Sequence, residues 1–106
     1  MIIVRIGTKR GDVASRYVRE IKLEDLQALV GGYIEPAAPV ELREQGIELL
    51  VNEEGLLKGL DTNENLFPFF FVGQAVAVGV DGEDFVSLSQ AQVNFLEDWL
   101  RGLENT

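Results

Sequence analysis

Short apolar runs that end at glycine-containing turns are the feature that most constrains how this 106-residue chain can fold. Turn compositions occur at 9–12, 31–32, 44–46, 52–55 and 81–84. Glycine and asparagine suit these positions because they tolerate positive φ angles. Only antiparallel strands can be joined by such short turns, so the pattern predicts a mainly antiparallel sheet.

Alternating apolar and polar residues mark the expected strands. Ile2–Ile6 and Val13–Ile21 are predicted to pair as a hairpin, which would bring their basic side chains close together. An extended segment at 33–35 is expected at a sheet edge, because Pro36 and Pro39 interrupt its pairing. The remaining predicted strands are a hairpin of Val40–Leu42 with Ile47–Val51, a central strand Phe69–Val80 bent at Gly73, and Phe85–Leu88.

Two segments have helical periodicity instead. Residues 23–30 form a short amphipathic pattern that ends at Gly31-Gly32, where glycine suits a helix C-cap. Ser89-x-x-Gln92 is a capping box that opens a longer helix near 90–103. No internal linker separates these elements. The sequence therefore predicts a single α+β domain over residues 1–106.

The chain contains no histidine and no cysteine. It therefore lacks the commonest general base, thiolate chemistry, disulfides and cysteine zinc sites. This composition favours a non-catalytic protein, so no catalytic residue and no cofactor is predicted. A carboxylate- or magnesium-dependent enzyme remains a less favoured alternative, because some enzymes work with carboxylates alone.

Charge is distributed unevenly along the chain. Residues 1–22 carry six basic and two acidic side chains, while residues 23–106 carry three basic and sixteen acidic ones. The overall charge of −9 disfavours direct binding to nucleic acid. The asymmetry instead suggests a polarised surface or a contact between copies, so a homodimer is considered. No stretch is apolar and long enough for a membrane span or a signal peptide, so a soluble, cytoplasmic protein is expected.

The acidic and asparagine-rich turns give weak signals for a metal. Asp61-x-Asn63-x-Asn65 copies the opening of an EF-hand loop, but Leu66 and Val72 occupy the positions that need glycine and glutamate. The acids of 81–84 would point outward from a tight turn. No metal site is therefore predicted. The phenylalanines of Leu66–Phe71 are expected mostly in the core; exposed ones would mark a dimer or partner surface.

Four blocks of sequence resemble a known family when taken together. They are Leu26–Glu35 (LQALVGGYIE), Val51–Leu60 (VNEEGLLKGL) with Asn63, Val72–Gly79 (VGQAVAVG) and Asp81–Leu88 (DGEDFVSL). In this order and spacing they resemble the family known as domain of unknown function 3846, over about residues 1–98. The chain differs from the family pattern at Asp61, where a proline is usual. The resemblance implies an accessory protein of phages and plasmids, associated with host takeover or anti-defence, and it supplies no catalytic residues.

These blocks and the residue types of the turns together indicate a candidate binding surface. The candidate binding residues are Gly31, Gly32, Tyr33, Glu35, Asn52, Glu53, Glu54, Gly55, Asn63 and Gly73. The favoured hypothesis is a binding module that docks its acidic surface, or the rim formed by 31–35 and 52–55, on a protein partner. The alternative is a binder of a small ligand or nucleotide signal, held by backbone amides of Gly31-Gly32 and Gly73 and by the N-terminal basic residues.

Overall fold

Six antiparallel strands and three α-helices make up the fold in the computed structural model, which describes residues 1–105. The elements are β1 (Ile2–Ile6), β2 (Val13–Tyr17), α1 (Leu23–Val30), β3 (Ile34–Pro36), α2 (Val40–Arg43), β4 (Ile47–Asn52), a 3-10 turn (Glu64–Leu66), β5 (Ala75–Asp81), β6 (Asp84–Val86) and α3 (Gln90–Glu104). The strand order is β2-β1-β5-β4-β3, and β6 also pairs with β5. The predicted α+β class and mainly antiparallel sheet are confirmed.

Helices cover both faces of the sheet. On one face α2 and α3 pack on a core that includes Ile6, Leu49 and Leu96. On the other face α1 contributes Leu26 and Val30 to a second core with residues of β1, β4 and β5. Burial on both faces explains why β4 and β5 are nearly continuous apolar runs instead of alternating ones.

Local capping chemistry fixes both predicted helices. Gly31 ends α1 in the left-handed conformation, with φ of 82°, and its N–H donates to the Gln27 carbonyl. Ser89 and Gln92 form the predicted capping box at the start of α3. Both helices lie where the sequence places them, because each signal acts within one or two turns of chain.

Three predicted strands differ from the structure. The second strand ends at Tyr17 instead of reaching residue 21, because the chain turns there toward α1. The predicted strand Val40–Leu42 is wrong: after Pro39, residues 40–43 form the short helix α2, which buries Leu42 and leaves Val40 exposed. Proline pre-sets the backbone for a helix start, and four residues are too few to show a period.

The predicted central strand Phe69–Val80 is too long at its N-terminal end. Strand β5 begins only at Ala75, and the preceding residues turn back so that Thr62 and Val72 form an isolated bridge. Gly73 has φ of 79°, and a Cβ there would lie 2.8 Å from Leu60 Cδ1. The predicted bend at Gly73 is therefore present, but it ends the pairing instead of bending one continuous strand.

The phenylalanine-rich segment is mostly not core, contrary to the prediction. Leu66 is fully buried, but Phe67 and Phe70 are 50% and 85% exposed. Phe69 and Phe71 are half-buried, and the Phe69 ring stacks on Trp99 with centroids 5.7 Å apart. Leu66 is thus the residue of this segment that enters the core and Phe71 packs against that core, while the Phe67 and Phe70 rings remain at the surface.

The two outer strands of the sheet differ in how open their edges are. The hydrogen bonds Glu53 N to Tyr33 O and Ala37 N to Leu49 O show that odd-numbered residues of β3 face β4. Pro36 therefore faces outward, where it cannot donate a hydrogen bond to another strand. Strand β2, at the other end of the sheet, has no proline. None of the helices within residues 1–105 has the length and apolar character needed to cross a membrane.

Candidate functional site

A groove of about 430 Å³ lies beside the turn that follows β4, at the β3 end of the sheet. We call it the acidic-rimmed groove. Its lining residues are Glu35, Ala37, Val51, Asn52, Glu53, Glu54, Gly55, Leu56, Leu57, Phe70, Phe71 and Val72. Five of the ten candidate binding residues line it: Glu35, Asn52, Glu53, Glu54 and Gly55. The structure therefore brings Glu35 and 52–55 of the predicted rim together, whereas residues 31–34 of that rim do not line the groove.

Three large apolar side chains of this groove are almost fully exposed. Leu56, Leu57 and Phe70 have relative exposures of 82%, 87% and 85%. Phe67 extends the apolar surface, because its ring packs edge-on against Phe70 with centroids 6.4 Å apart. Single exposed apolar residues are ordinary, but a group around one groove is typical of an interaction site.

Asn52 holds the groove-forming turn in place. Its Nδ2 donates to the Val30 carbonyl at 3.1 Å, and its Oδ1 accepts from the Glu54 N–H at 2.7 Å. The side chain is buried, so it ties the end of α1 to the turn rather than facing the groove opening. Asn52 therefore positions Glu53 and Glu54 through the backbone.

Glycines let the turn pack closely on its neighbours. A Cβ on Gly55 would lie 2.8 Å from Val72 Cγ2, which forms part of the groove wall. A Cβ on Gly32 would lie 2.9 Å from Asn52 Nδ2. Contacts this short are not tolerated by a side chain, so glycine at 55 and 32 is explained by packing.

Carboxylates surround the apolar part of the groove. Glu35, Glu53 and Glu54 are all exposed, and no basic residue lines the groove. The neighbouring Lys58 ammonium instead lies 3.4 Å from the Gly31 carbonyl. The groove thus offers apolar contacts at its centre and negative charge at its edge.

Asn63 and Gly73 lie apart from this groove, in a polar cluster beside β1. Asn63 is fully buried, and its Nδ2 donates to the carbonyls of Ile6 and Gly73 at 3.2 and 3.0 Å. Asn65 next to it donates to the carbonyls of Gly7 and Lys9. These side chains bond within the chain and support the 61–73 segment. Their proposed binding role remains a prediction.

The amides proposed to hold an anion already have partners inside the chain. The N–H groups of Gly31 and Gly32 both donate to the Gln27 carbonyl, at 2.9 and 3.0 Å. The Gly73 N–H donates to the Asp61 carbonyl at 2.7 Å. These three amides therefore already have acceptors, and the N-terminal basic residues are the other donors that the ligand-binding alternative named. Ligand binding stays a prediction. Tyr33 is 67% exposed, and its carbonyl accepts from Glu53 N.

The acidic turns have no metal-binding arrangement in the part of the chain that the structure describes. Across residues 1–105, no group of three or more acidic residues is placed to hold a metal ion. The acids of 81–84 form the β5–β6 hairpin turn and are exposed. Asn63 Oδ1 accepts from the Asn65 N–H, so the EF-hand-like segment begins a 3-10 turn.

The N-terminal basic residues lie in and around the β1–β2 hairpin, at the other end of the sheet from β3. Arg5 and Arg16 share one face of the β1–β2 hairpin, as predicted from the alternation. Arg5 is paired with Asp12, and this hydrogen bond lowers the pKa of the Asp12 carboxyl. Lys9 and Lys22 also have acidic partners, Glu64 and Glu20. The basic segment is thus partly neutralised, by Asp12 and Glu20 within it and by Glu64 from the acidic remainder of the chain.

Sequence reasoning missed the three exposed large apolar residues of the groove, Leu56, Leu57 and Phe70. Leu56 and Leu57 lie between Gly55 and Gly59, in a turn, and so belong to no strand or helix that could bury them. Two adjacent leucines inside a turn segment could have indicated that they are exposed. Phe70 had no comparable signal, because four phenylalanines occur within five residues and only packing decides which are covered.

Comparison with known proteins identifies a family but no activity. The model of the family described as Domain of unknown function (DUF3846) matches residues 7–101. Neither curated proteins nor solved structures gave a match to the chain. Because the family model covers most of the sequence, the chain belongs to the DUF3846 family, as its sequence blocks indicated.

Proposed function

We propose that this member of the DUF3846 family is a non-catalytic binding module that docks a protein partner in the acidic-rimmed groove. The observation that supports this proposal is the exposure of Leu56, Leu57 and Phe70 around one groove. Exposed leucine and phenylalanine side chains are unfavourable in water, so burying them against a partner gives a favourable free energy of binding.

The chemistry of the groove indicates the kind of segment it would bind. Its centre favours a leucine, methionine or aromatic side chain, because such anchors supply most of the binding energy at interfaces. Its rim of Glu35, Glu53 and Glu54 favours lysine or arginine beside that anchor. We therefore expect a partner segment that combines an apolar anchor with flanking basic residues.

The proposed setting is the cytoplasm of a bacterial host, where the partner would be a host or defence protein. Support for this comes from the phage and plasmid context that the family resemblance implies. Direct nucleic-acid binding is not part of the proposal, because the rim of the groove is acidic.

The test is selection from a random peptide library on the immobilised protein. We expect enrichment of peptides that contain a leucine or aromatic residue next to lysine or arginine. Leu57→Asp and Phe70→Asp should each weaken the selected peptides about tenfold or more, because each places a charge on the apolar contact. Fluorescence anisotropy with the selected peptides gives the affinity.

Two matched variants serve as controls. Val40→Asp introduces the same charge at a 63% exposed apolar residue of α2, outside the groove, and should leave binding unchanged. Glu53→Lys should weaken binding, whereas Glu83→Lys in the β5–β6 turn should have little effect. The proposal is wrong if no peptide is enriched, or if enriched peptides bind Leu57→Asp and Phe70→Asp as tightly as the original chain.

A further inference from the structure

The outer edge of β2 is open to a further strand. The bonds Gly7 N to Asp12 O and Val18 N to Met1 O fix the register, in which the even-numbered residues of this strand face β1. The backbone groups of Ser15 and Tyr17 therefore face outward from the sheet. An edge with such groups and no proline is a template for strand pairing.

The side chains of β2 add an apolar surface beside this edge. Tyr17 is 78% exposed. A groove of about 420 Å³ lies between β2 and the C-terminal half of α3, lined on the apolar side by Val4, Val13 and Leu100. Val13, Ser15 and Tyr17 share the face of the strand on which this groove lies.

We propose that the partner of this edge is a second copy of the same chain, paired antiparallel through β2 about a two-fold axis at Ser15. Ser15 then pairs with Ser15 of the second copy, and Tyr17 pairs with Val13 of the second copy. Each Tyr17 thereby packs on the other copy's Val13, at the groove next to α3. Aromatic and β-branched residues opposite each other stabilise antiparallel pairs.

Charge on the other face of β2 fits the same register. Arg16 of each copy lies opposite Ala14 of the other, and Asp12 is the next residue on that face. The two Arg16 side chains lie diagonally opposite each other across the two paired β2 strands. Each Arg16 also lies diagonally opposite Asp12 of the other copy. The Asp12 side chain is half exposed. Both of its oxygens accept from Arg5, but each carboxylate oxygen has a second lone pair that can accept from another guanidinium.

The size of the contact predicts a weak dimer. A five-residue strand contributes a smaller interface than the roughly 800 Å² per partner of a standard stable complex. We therefore expect dissociation in the micromolar range. This inference does not depend on the proposed partner of the acidic-rimmed groove, which lies at the other end of the sheet.

The absence of cysteine from the chain allows a sharp cross-linking test. Ser15→Cys places two thiols across the two-fold axis, where paired Cα atoms are about 5.5 Å apart, a separation that a disulfide can span. Mild oxidation should convert this variant to a covalent dimer. Ala91→Cys, on the exposed side of α3, is the control and should stay monomeric.

A second test removes the outward donor at the edge. Ser15→Pro deletes an N–H that β1 does not use, so dimerisation in sedimentation velocity should weaken about tenfold or more. Ser15→Ala retains the N–H and should dimerise like the original chain. The inference is overturned if Ser15→Cys cross-links no more than Ala91→Cys, or if folded Ser15→Pro dimerises like Ser15→Ala. The cross-linking result stands whether or not the proline variant folds.

Discussion

Buried asparagines connect segments of this protein that are distant along the chain. Asn52 links α1 to the turn after β4, and Asn63 links β1 to the segment before β5. A buried amide that satisfies backbone carbonyls contributes stability mainly because its loss leaves those carbonyls unpaired. Two of the residues nominated as binding residues are therefore structural connections as well.

We predict that Asn63→Ala destabilises the fold by about 2–4 kcal/mol, since it leaves the carbonyls of Ile6 and Gly73 and the Asn65 N–H without their partner. Urea denaturation followed by circular dichroism measures this. Asn94→Ala, at an exposed position of α3, is the control and should change stability by less than about 0.5 kcal/mol. An Asn63→Ala protein as stable as the control would contradict the structural role.

At the scale of elements, the β1–β2 hairpin is closed by a charged pair as well as by its backbone. Arg5 donates to both oxygens of Asp12, and this lowers the pKa of the Asp12 carboxyl below its usual value of 3.8. A carboxyl with a lowered pKa in the folded state stabilises the fold above its unfolded-state pKa. That contribution disappears as the pH falls through the folded-state pKa.

We therefore predict that Asp12→Asn lowers stability at neutral pH and that its difference from the original chain shrinks as the pH falls below about 3.8. Denaturant titrations at several pH values measure the difference. The same substitution in an Arg5→Met background should show no such pH dependence. A difference that stays constant down to the lowest pH at which both proteins fold would exclude this pair as its source.

The elements differ in how well the sequence predicts them, and the reason is physical. The helices α1 and α3 are predictable because Gly31, Ser89 and Gln92 act on their own turns. The helix α2 is not, because four residues show no period. The exposure of Phe70 is not predictable either, because four phenylalanines occur within five residues and only the tertiary packing decides which are covered; Phe69, for example, stacks on Trp99 of α3.

At the scale of the whole molecule, the predicted rim of 31–35 and 52–55 meets one groove only in part: Glu35 and 52–55 line it, and 31–34 do not. Glu35 and 52–55 come together because β3 pairs with β4, with Glu35 opposite Val51. The sequence instead predicted that 47–51 would pair with 40–42. It could not place Asn63, which lies in a separate cluster, because its partner Ile6 in β1 is 57 residues away along the chain. Gly73 lies in the same cluster because its carbonyl accepts from Asn63.

The net charge of −9 leads to opposite salt dependences for the two proposed contacts. Two copies of the chain repel each other because both carry a net negative charge, and exposed ion pairs such as Arg16 with Asp12 add little to the stability of the dimer. Added salt screens the repulsion, so it should strengthen the dimer. A basic peptide is attracted to the acidic-rimmed groove, so added salt should weaken its binding. Sedimentation velocity and anisotropy at low and high salt measure both. Dimerisation that weakens with salt would show that local ion pairs dominate over net repulsion.

The strand order has a consequence for how such a protein could engage its targets. Strands β2 and β3 are the two ends of one sheet, so a dimer joined at β2 carries its two grooves at opposite ends of a continuous ten-strand row. At about 4.8 Å per strand, that row separates the grooves by roughly 45 Å. A target that presents two copies of the recognised segment at this spacing would be held bivalently, and weak individual contacts would combine into high avidity.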